Sequence, residues 1–129
     1  MVKVKEIMTK NPVKIEAGKT VREAINLMTQ KKLGSLLVCQ GGEVTGILEE
    51  ADIIRNVLAR DLNYYVTRVA EVMSDPIVIN DERSDDEASD MMNLHHVRHL
   101  VVTSGSRISG ILSMLDLIRP VYTGKSFWV

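Results

Sequence analysis

Displaced by 64 positions, the interval from Pro12 to Pro76, the sequence lies on itself without a gap through most of each half. Ile15 meets Ile79, Glu23-Ala24 meets Glu87-Ala88, Met28 meets Met92, Leu36 meets Leu100 and Val38 meets Val102. Further on, Gly41 falls on Gly105, Gly46-Ile47-Leu48 on Gly110-Ile111-Leu112, Asp52 on Asp116, and Ile54-Arg55 on Ile118-Arg119. Upstream of the prolines the register slips by one, pairing Val4-x-x-Ile7-Met8 with Val69-x-x-Val72-Met73. Self-similarity at a fixed period means one supersecondary unit made twice. A unit of about 60 residues buries too little surface to be comfortably stable alone. The two copies are therefore expected to pack on each other as one pseudo-twofold α+β globule, with two related clefts along the seam.

Each copy predicts the element order β-α-β-β-α. An apolar strand follows the proline, Val13-Lys14-Ile15 in the first copy and Ile77-Val78-Ile79 in the second. Thr20-Val21-Arg22-Glu23 and Ser84-Asp85-Asp86-Glu87 then match the capping box, in which a hydroxyl and a carboxylate satisfy orphan backbone donors at a helix start. Val21, Ala24, Ile25 and Met28 fall at i, i+3, i+4 and i+7, and Ala88, Met91 and Met92 form the second stripe. Two strands joined around Gly41-Gly42, and again around Ser104-Gly105-Ser106, read as hairpins. Closing helices are expected from about Glu49 to Ala59 and from about Ser113 to Arg119, where Pro120 stops the second. The resulting division is residues 1–59 for repeat 1, 60–68 for a linker, 69–122 for repeat 2, and 123–129 for a C-terminal tail that matches neither copy. The Phe127-Trp128 pair of that tail is suited to packing on the body or on a partner.

Composition removes several classes of function. The 129 residues carry 16 Lys+Arg against 17 Asp+Glu, a formal net charge of -1, which gives no global attraction to phosphate backbones or anionic membranes. Aromatic residues at 4% leave few stacking platforms for single-stranded nucleic acid. A local basic patch from Arg55, Arg60 and Arg68 stays open as a nucleic-acid surface. One cysteine, Cys39, excludes an internal disulfide and a multi-cysteine zinc site. Neither an apolar run of membrane-spanning length nor a signal-peptide pattern is evident, so the expectation is a cytoplasmic protein.

Met8-x-x-x-Pro12, Ala24, Met28 and Gly46-Ile47-Leu48-x-x-x-Asp52 closely resemble one CBS motif, the repeat named after cystathionine β-synthase. Met73-x-x-Pro76, Val97-Arg98-His99-Leu100-Val101-Val102 and Gly110-Ile111-Leu112-Ser113-x-x-Asp116 resemble a second. Together they resemble a tandem CBS pair, or Bateman module, covering nearly the whole chain. The resemblance implies two β-α-β-β-α repeats packed with pseudo-twofold symmetry, sheets against helices. It also implies a regulatory module that binds AMP, ADP, ATP or S-adenosylmethionine between the repeats, signals to a partner protein, and assembles as a homodimer.

On that resemblance Asp116 takes the ribose, Ser113 the phosphate, and Val13, Lys14 and Ile15 line the adenine, with Arg98 and His99 near the phosphate. The residue types suit the task. A carboxylate is acceptor-only and can take both cis hydroxyls of a ribose. Ser113 stands at a helix start, where free N–H groups favour anions, and Arg98 can contact phosphate bidentately. The second cleft, with Asp52 and Ile77, Val78 and Ile79, departs from the pattern. Glu49 replaces the hydroxyl residue, and Gly34-Ser35 stand where Arg98-His99 stand in the other copy. A carboxylate beside a phosphate costs about 1–2 kcal/mol at an effective dielectric near 20, so this cleft is expected to be empty or to take uncharged adenosine.

Plainer readings stand beside these. Asp52 and Asp116 also serve as helix-start carboxylates facing a positive dipole end, Ser113 as an N-cap, and Arg98 and His99 as residues flanking a strand. His95, His96 and His99 lack the glutamate of H-E-x-x-H and a nearby third ligand, so no metal site is expected. Gly18-Lys19-Thr20 imitates a phosphate loop, but Val13 occupies the position of its first glycine. The acidic run from Asp81 to Asp90 lacks the spacing of a calcium loop. Cys39, on an apolar strand, reads as core. No nucleophile–base pair points to an enzyme. The competing function is a constitutive dimerisation or protein-interaction module whose nucleotide clefts are vestigial.

Overall fold

A computed structural model describes the backbone of residues 1–122 and the side chains of residues 1–118; the tail at 123–129, with Phe127-Trp128, lies outside the described residues. In chain order the first half holds α1 (Val4–Ile7), β1 (Thr9–Lys10), β2 (Lys14–Glu16), α2 (Val21–Lys31), β3 (Ser35–Gln40), β4 (Glu43–Glu49) and α3 (Glu50–Ile53). A π-helical turn (Ile54–Leu58) and a 3-10 turn (Val69–Glu71) follow. The second half holds β5 (Val78–Asn80), α4 (Asp85–His95), β6 (His99–Ser104), β7 (Arg107–Ser113) and α5 (Met114–Tyr122).

These elements form two compact units, Pro12–Pro76 and Met1–Asn11 with the chain from Ile77 onward. The first-repeat unit carries a three-stranded sheet ordered β2-β3-β4. β2 pairs parallel with β3, and β3 pairs antiparallel with β4. The second-repeat unit carries a four-stranded sheet ordered β1-β7-β6-β5, in which β1 is the antiparallel addition at the edge of β7. Both hairpins shift register at the same place, between Val38 and Cys39 and between Val102 and Thr103. The duplication therefore extends to the bulges, one extra residue each time. The turns differ in backbone: Gly41 and Gly42 both have positive φ, whereas in the second hairpin only Gly105 does.

Local chemistry explains the helices. Thr20 Oγ1 accepts the Glu23 N–H at 3.1 Å, and Ser84 Oγ accepts the Glu87 N–H at 3.2 Å. Glu23 reaches back to the Thr20 N–H at 2.9 Å, and Glu87 to the Ser84 N–H at 3.3 Å. Both helices close on a left-handed residue, Lys32 and His96. Val21, Ala24 and Met28 of α2 sink into a core with Leu36, Val38 and Leu48. Ala88 and Met92 of α4 do the same with Leu100, Val102 and Leu112, and Met91 packs half-buried at the margin. Cys39 is buried, and its burial pushes the thiol pKa up.

The closing helices depart from expectation. After α3 the chain widens to a π turn, with Ala59 N–H bonded to Ile54 C=O at 2.9 Å. The wider turn puts Val57 in the core while Ile54 and Leu58 stay exposed. α5 continues through Pro120 to Tyr122 rather than stopping at Arg119. A proline forfeits its own N–H bond, but the residues after it complete the final turn.

The compact units also cut across the sequence repeats. Residues 1–11 lie in the second-repeat unit. There Val4 is fully buried, its N–H bonds Arg83 C=O at 2.8 Å, and Thr9-Lys10 pair with Ile111-Gly110. Lys3 and Lys5 clamp Glu82 at 2.7 and 2.6 Å, and the two ammonium groups hold its carboxyl down at about 2. Residues 60–76 lie in the first-repeat unit, where Val69 and Val72 are buried and Ser74 bridges Ile47. Each unit thus receives the segment that precedes the other repeat's proline. The one-residue slip upstream of the prolines marks these two straps.

Candidate functional site

In the second-repeat unit, the antiparallel register of β6 and β7 sets His99 directly across from Ser113. The Met114 N–H donates to the Arg98 carbonyl at 2.9 Å, closing that end of the hairpin. Three residues into the next segment, the Asp116 carboxylate turns back and accepts the Ser113 N–H at 2.8 Å. Asp116 is 5% exposed, Ser113 and His99 are half-buried, and Arg98 is exposed. Four of the sequence-selected residues, Arg98, His99, Ser113 and Asp116, thus gather at one strand-to-helix junction. The plainer reading of Asp116 is met, because its carboxylate caps the start of α5. An ionised carboxylate offers about four lone-pair positions, and the Ser113 N–H takes one of those of Asp116.

The first-repeat unit repeats the frame with other side chains. Ser35 stands across from Glu49, and Glu50 N–H donates to Gly34 C=O at 3.1 Å. Asp52 Oδ2 accepts the Glu49 N–H at 2.8 Å, and its Oδ1 accepts the Ser74 hydroxyl at 2.6 Å. Asp52 and Glu49 are both buried, at 8% and 9% exposure. Burial raises the Asp52 pKa above its ordinary value, against the opposing pull of the Ser74 and Glu49 hydrogen bonds. Two carboxylates, Asp52 and Glu49, thus stand at this junction, and Gly34-Ser35 hold the place that Arg98-His99 hold in the other copy.

The strands chosen for the adenine wall divide by face. In β2, Ile15 is 7% exposed and packs in the core with Val13 at its margin, while Lys14 points outward. In the second copy Ile79 is core, Ile77 flanks it, and Val78 is 46% exposed. Only Lys14 and Val78 among these six carry their side chains away from their own core. Beside Lys14, the Glu23, Asn26, Leu27 and Gln30 face of α2 helps line an open hollow of about 480 Å³.

Sequence reasoning passed over Ser74. The available signal was the slipped alignment, which sets Thr9 against Ser74 directly after a methionine in both straps. The histidines do not converge: His95 and His96 are exposed at the end of α4, and no cluster of three or more His, Cys, Asp or Glu able to hold a metal exists among the described residues. None of the described helices is long and apolar enough to cross a membrane.

The chain is similar to known proteins across both repeats. The CBS domain pattern matches residues 4–59 and 69–122. The CBS domain-containing protein YhcV of Bacillus subtilis is 32% identical over 118 residues, covering 91% of this chain and 84% of the relative. A Burkholderia ambifaria protein with CBS domains, assigned to signal transduction, superposes with a TM-score of 0.84 at 32% identity, covering 93% of this chain and 89% of that one. The hexameric CBS-CP12 protein of bloom-forming cyanobacteria superposes with a TM-score of 0.83 at 31% identity, covering 99% and 78%.

Proposed function

The chain belongs to the CBS-domain family as a tandem pair, and from that premise we propose that it is a regulatory module that binds an adenosine-containing ligand through its second repeat and signals to a partner protein. Asp116 takes the ribose hydroxyls, the Ser113 hydroxyl and the N-terminal turn of α5 meet the phosphate, and Arg98 adds a bidentate contact. The observation that carries this reading is the junction itself, where His99 faces Ser113 and the Ser113 N–H anchors Asp116 at 2.8 Å. AMP, ADP and ATP fit the hydroxyl-and-guanidinium set; S-adenosylmethionine offers the ribose but no phosphate. Oligomerisation is part of the proposal, as a homodimer, and the hexameric CBS-CP12 relative supports self-association in general.

One observation favours the competing reading, an interaction module with a vestigial site, for the first repeat alone. There Glu49 stands in the hydroxyl position and Ser74 already occupies Asp52. A thermal-shift screen with AMP, ADP, ATP, GTP, NAD and S-adenosylmethionine separates the two. Ligand at a hundred times its dissociation constant stabilises by about 2.7 kcal/mol, a rise in Tm of several degrees. A Tm that no adenosine compound moves would leave only the interaction module.

A further inference from the structure

We propose that Met8 and Met73 are reversible oxidation sites, a matched pair of peroxide-sensitive latches that hold the two straps on their hairpins. The inference stands apart from the nucleotide reading, because it rests on the straps and not on either aspartate junction. In both units a methionine thioether fills a notch left by a glycine. A Cβ on Gly46 would stand 2.5 Å from Met73 Sδ and 3.0 Å from its Cγ, and one on Gly110 would stand 2.9 Å from Met8 Sδ and 3.3 Å from its Cγ. Each glycine pairs with the residue at its hairpin's register shift, Gly46 with Val38 and Gly110 with Val102. The sulfur thus sits, twice, where the second strand of the hairpin has given up its side chain.

Position separates these two from the core methionines. Met28 and Met92 lie at 6% and 1% exposure, whereas Met8 and Met73 are half-buried at the core margins. The Ser109 hydroxyl, 3.9 Å from Met8 Sδ, marks the polar edge of that notch. Reach from solvent and a tight apolar seat therefore coincide at the strap methionines. Hydrogen peroxide supplies the chemistry. The thioether lone pair attacks one peroxide oxygen, the S–O bond forms as the O–O bond breaks, and sulfur gives up two electrons; the departing oxygen leaves as water with both peroxide hydrogens. The sulfoxide is polar and chiral where the thioether was apolar and flexible. An oxygen turned toward the glycine has no room, and a polar group seated against the core margin without a partner destabilises the strap. What each latch holds is backbone pairing. Ser74 exchanges two bonds with Ile47, both at 2.9 Å, and Thr9-Lys10 pair with Ile111-Gly110. Shortly after each latch, at Pro12 and after Pro76, the chain passes from one compact unit to the other. Oxidation loosens the straps just before these crossings, and reduction of the sulfoxide restores them.

Mild hydrogen peroxide treatment of the full chain, read by peptide mass spectrometry and amide hydrogen exchange, tests the latches. Met8 and Met73 are expected to gain one oxygen each while Met28 and Met92 stay reduced. Exchange should then speed about tenfold at Ile47 and Ser74 and across Thr9-Lys10 and Gly110-Ile111, the scale of one polar group buried without a partner. Methionine sulfoxide reductases for both epimers, with a thiol reductant, should return the parent rates. The double variant Met8→Leu, Met73→Leu conserves volume and keeps Met1, Met91 and Met114 oxidisable; its strap exchange should not respond to peroxide. Sulfoxides at Met8 and Met73 with unchanged strap exchange would overturn the proposal. So would strap methionines no more reactive than Met28 and Met92, or the same acceleration in the double variant.

Discussion

Replacing Gly110 by alanine probes the strap of the second-repeat unit where it is tightest. A Cβ there would lie 2.5 Å from Thr9 O and 2.9 Å from Met8 Sδ. The closer atom is backbone, held by the pairing of β1 with β7, and cannot swing aside. Overpacking of this kind costs about 1–3 kcal/mol, and an immovable neighbour places Gly110→Ala near the top of that range. The lower unfolded-state entropy of alanine returns about 0.4–1 kcal/mol, leaving a net loss of about 2 kcal/mol. For a chain of this size that is a fall in Tm of roughly 6–10 °C. Gly46→Ala is the internal control. Its closest contact is Sδ of the flexible Met73 side chain at 2.5 Å, with Met73 Cγ and Ser74 O each at 3.0 Å, so a net loss of at most about 1 kcal/mol is expected. Urea denaturation measures both as shifts in midpoint at constant slope. Adding Met73→Ala should relieve Gly46→Ala, whereas Met8→Ala should leave most of the Gly110→Ala penalty in place. Gly110→Ala as stable as the parent, or less damaging than Gly46→Ala, would refute the packing argument.

Other consequences follow from the same contacts. Val4→Ala empties a fully buried position supplied by residues 1–11 and should cost about 2 kcal/mol in urea denaturation; a loss below about 0.5 kcal/mol would remove that segment from the core. Thr20→Ala and Ser84→Ala should each cost about 1 kcal/mol, while Thr20→Ser stays close to the parent. Two of the perturbed carboxyls, Glu82 and Asp52, should be shifted in opposite directions by NMR. Glu82, held down by Lys3 and Lys5, should have its midpoint at about 2; its contribution to stability is present above its unfolded value of 4.5 and is lost as pH falls toward 2. Asp52, raised by burial, should titrate above 3.8; its contribution is present below 3.8 and is lost as pH rises through its folded value.

What the sequence disclosed and what it hid divide along physical lines. The capping boxes, the hydrophobic stripes of α2 and α4 and both hairpins are local, and Thr20, Ser84 and Gly41-Gly42 announce them within a few residues. Arg98, His99, Ser113 and Asp116 were singled out by the resemblance to a CBS repeat, and the β6–β7 register that sets His99 across from Ser113 brings them to one junction. The straps were not legible as straps. Val4 and Val69 look like the opening of their own repeats, and only pairing across more than 70 residues, Lys3 with Ser84 and Thr9 with Ile111, assigns the first strap to its unit. Ser74 was hidden for a related reason, since nothing near it in sequence names Asp52 as its acceptor. The π turn at Ile54–Leu58 carries no local signature either; it follows from the need to bury Val57.

Calorimetric titration of AMP into the full chain and two aspartate variants, each checked for folding by circular dichroism, bears most directly on the proposed role of the second repeat. The account predicts that the unsubstituted chain binds AMP, that Asp116→Ala abolishes binding, and that Asp52→Ala keeps it. Silence from the unsubstituted chain, or binding lost in Asp52→Ala and kept in Asp116→Ala, would contradict it.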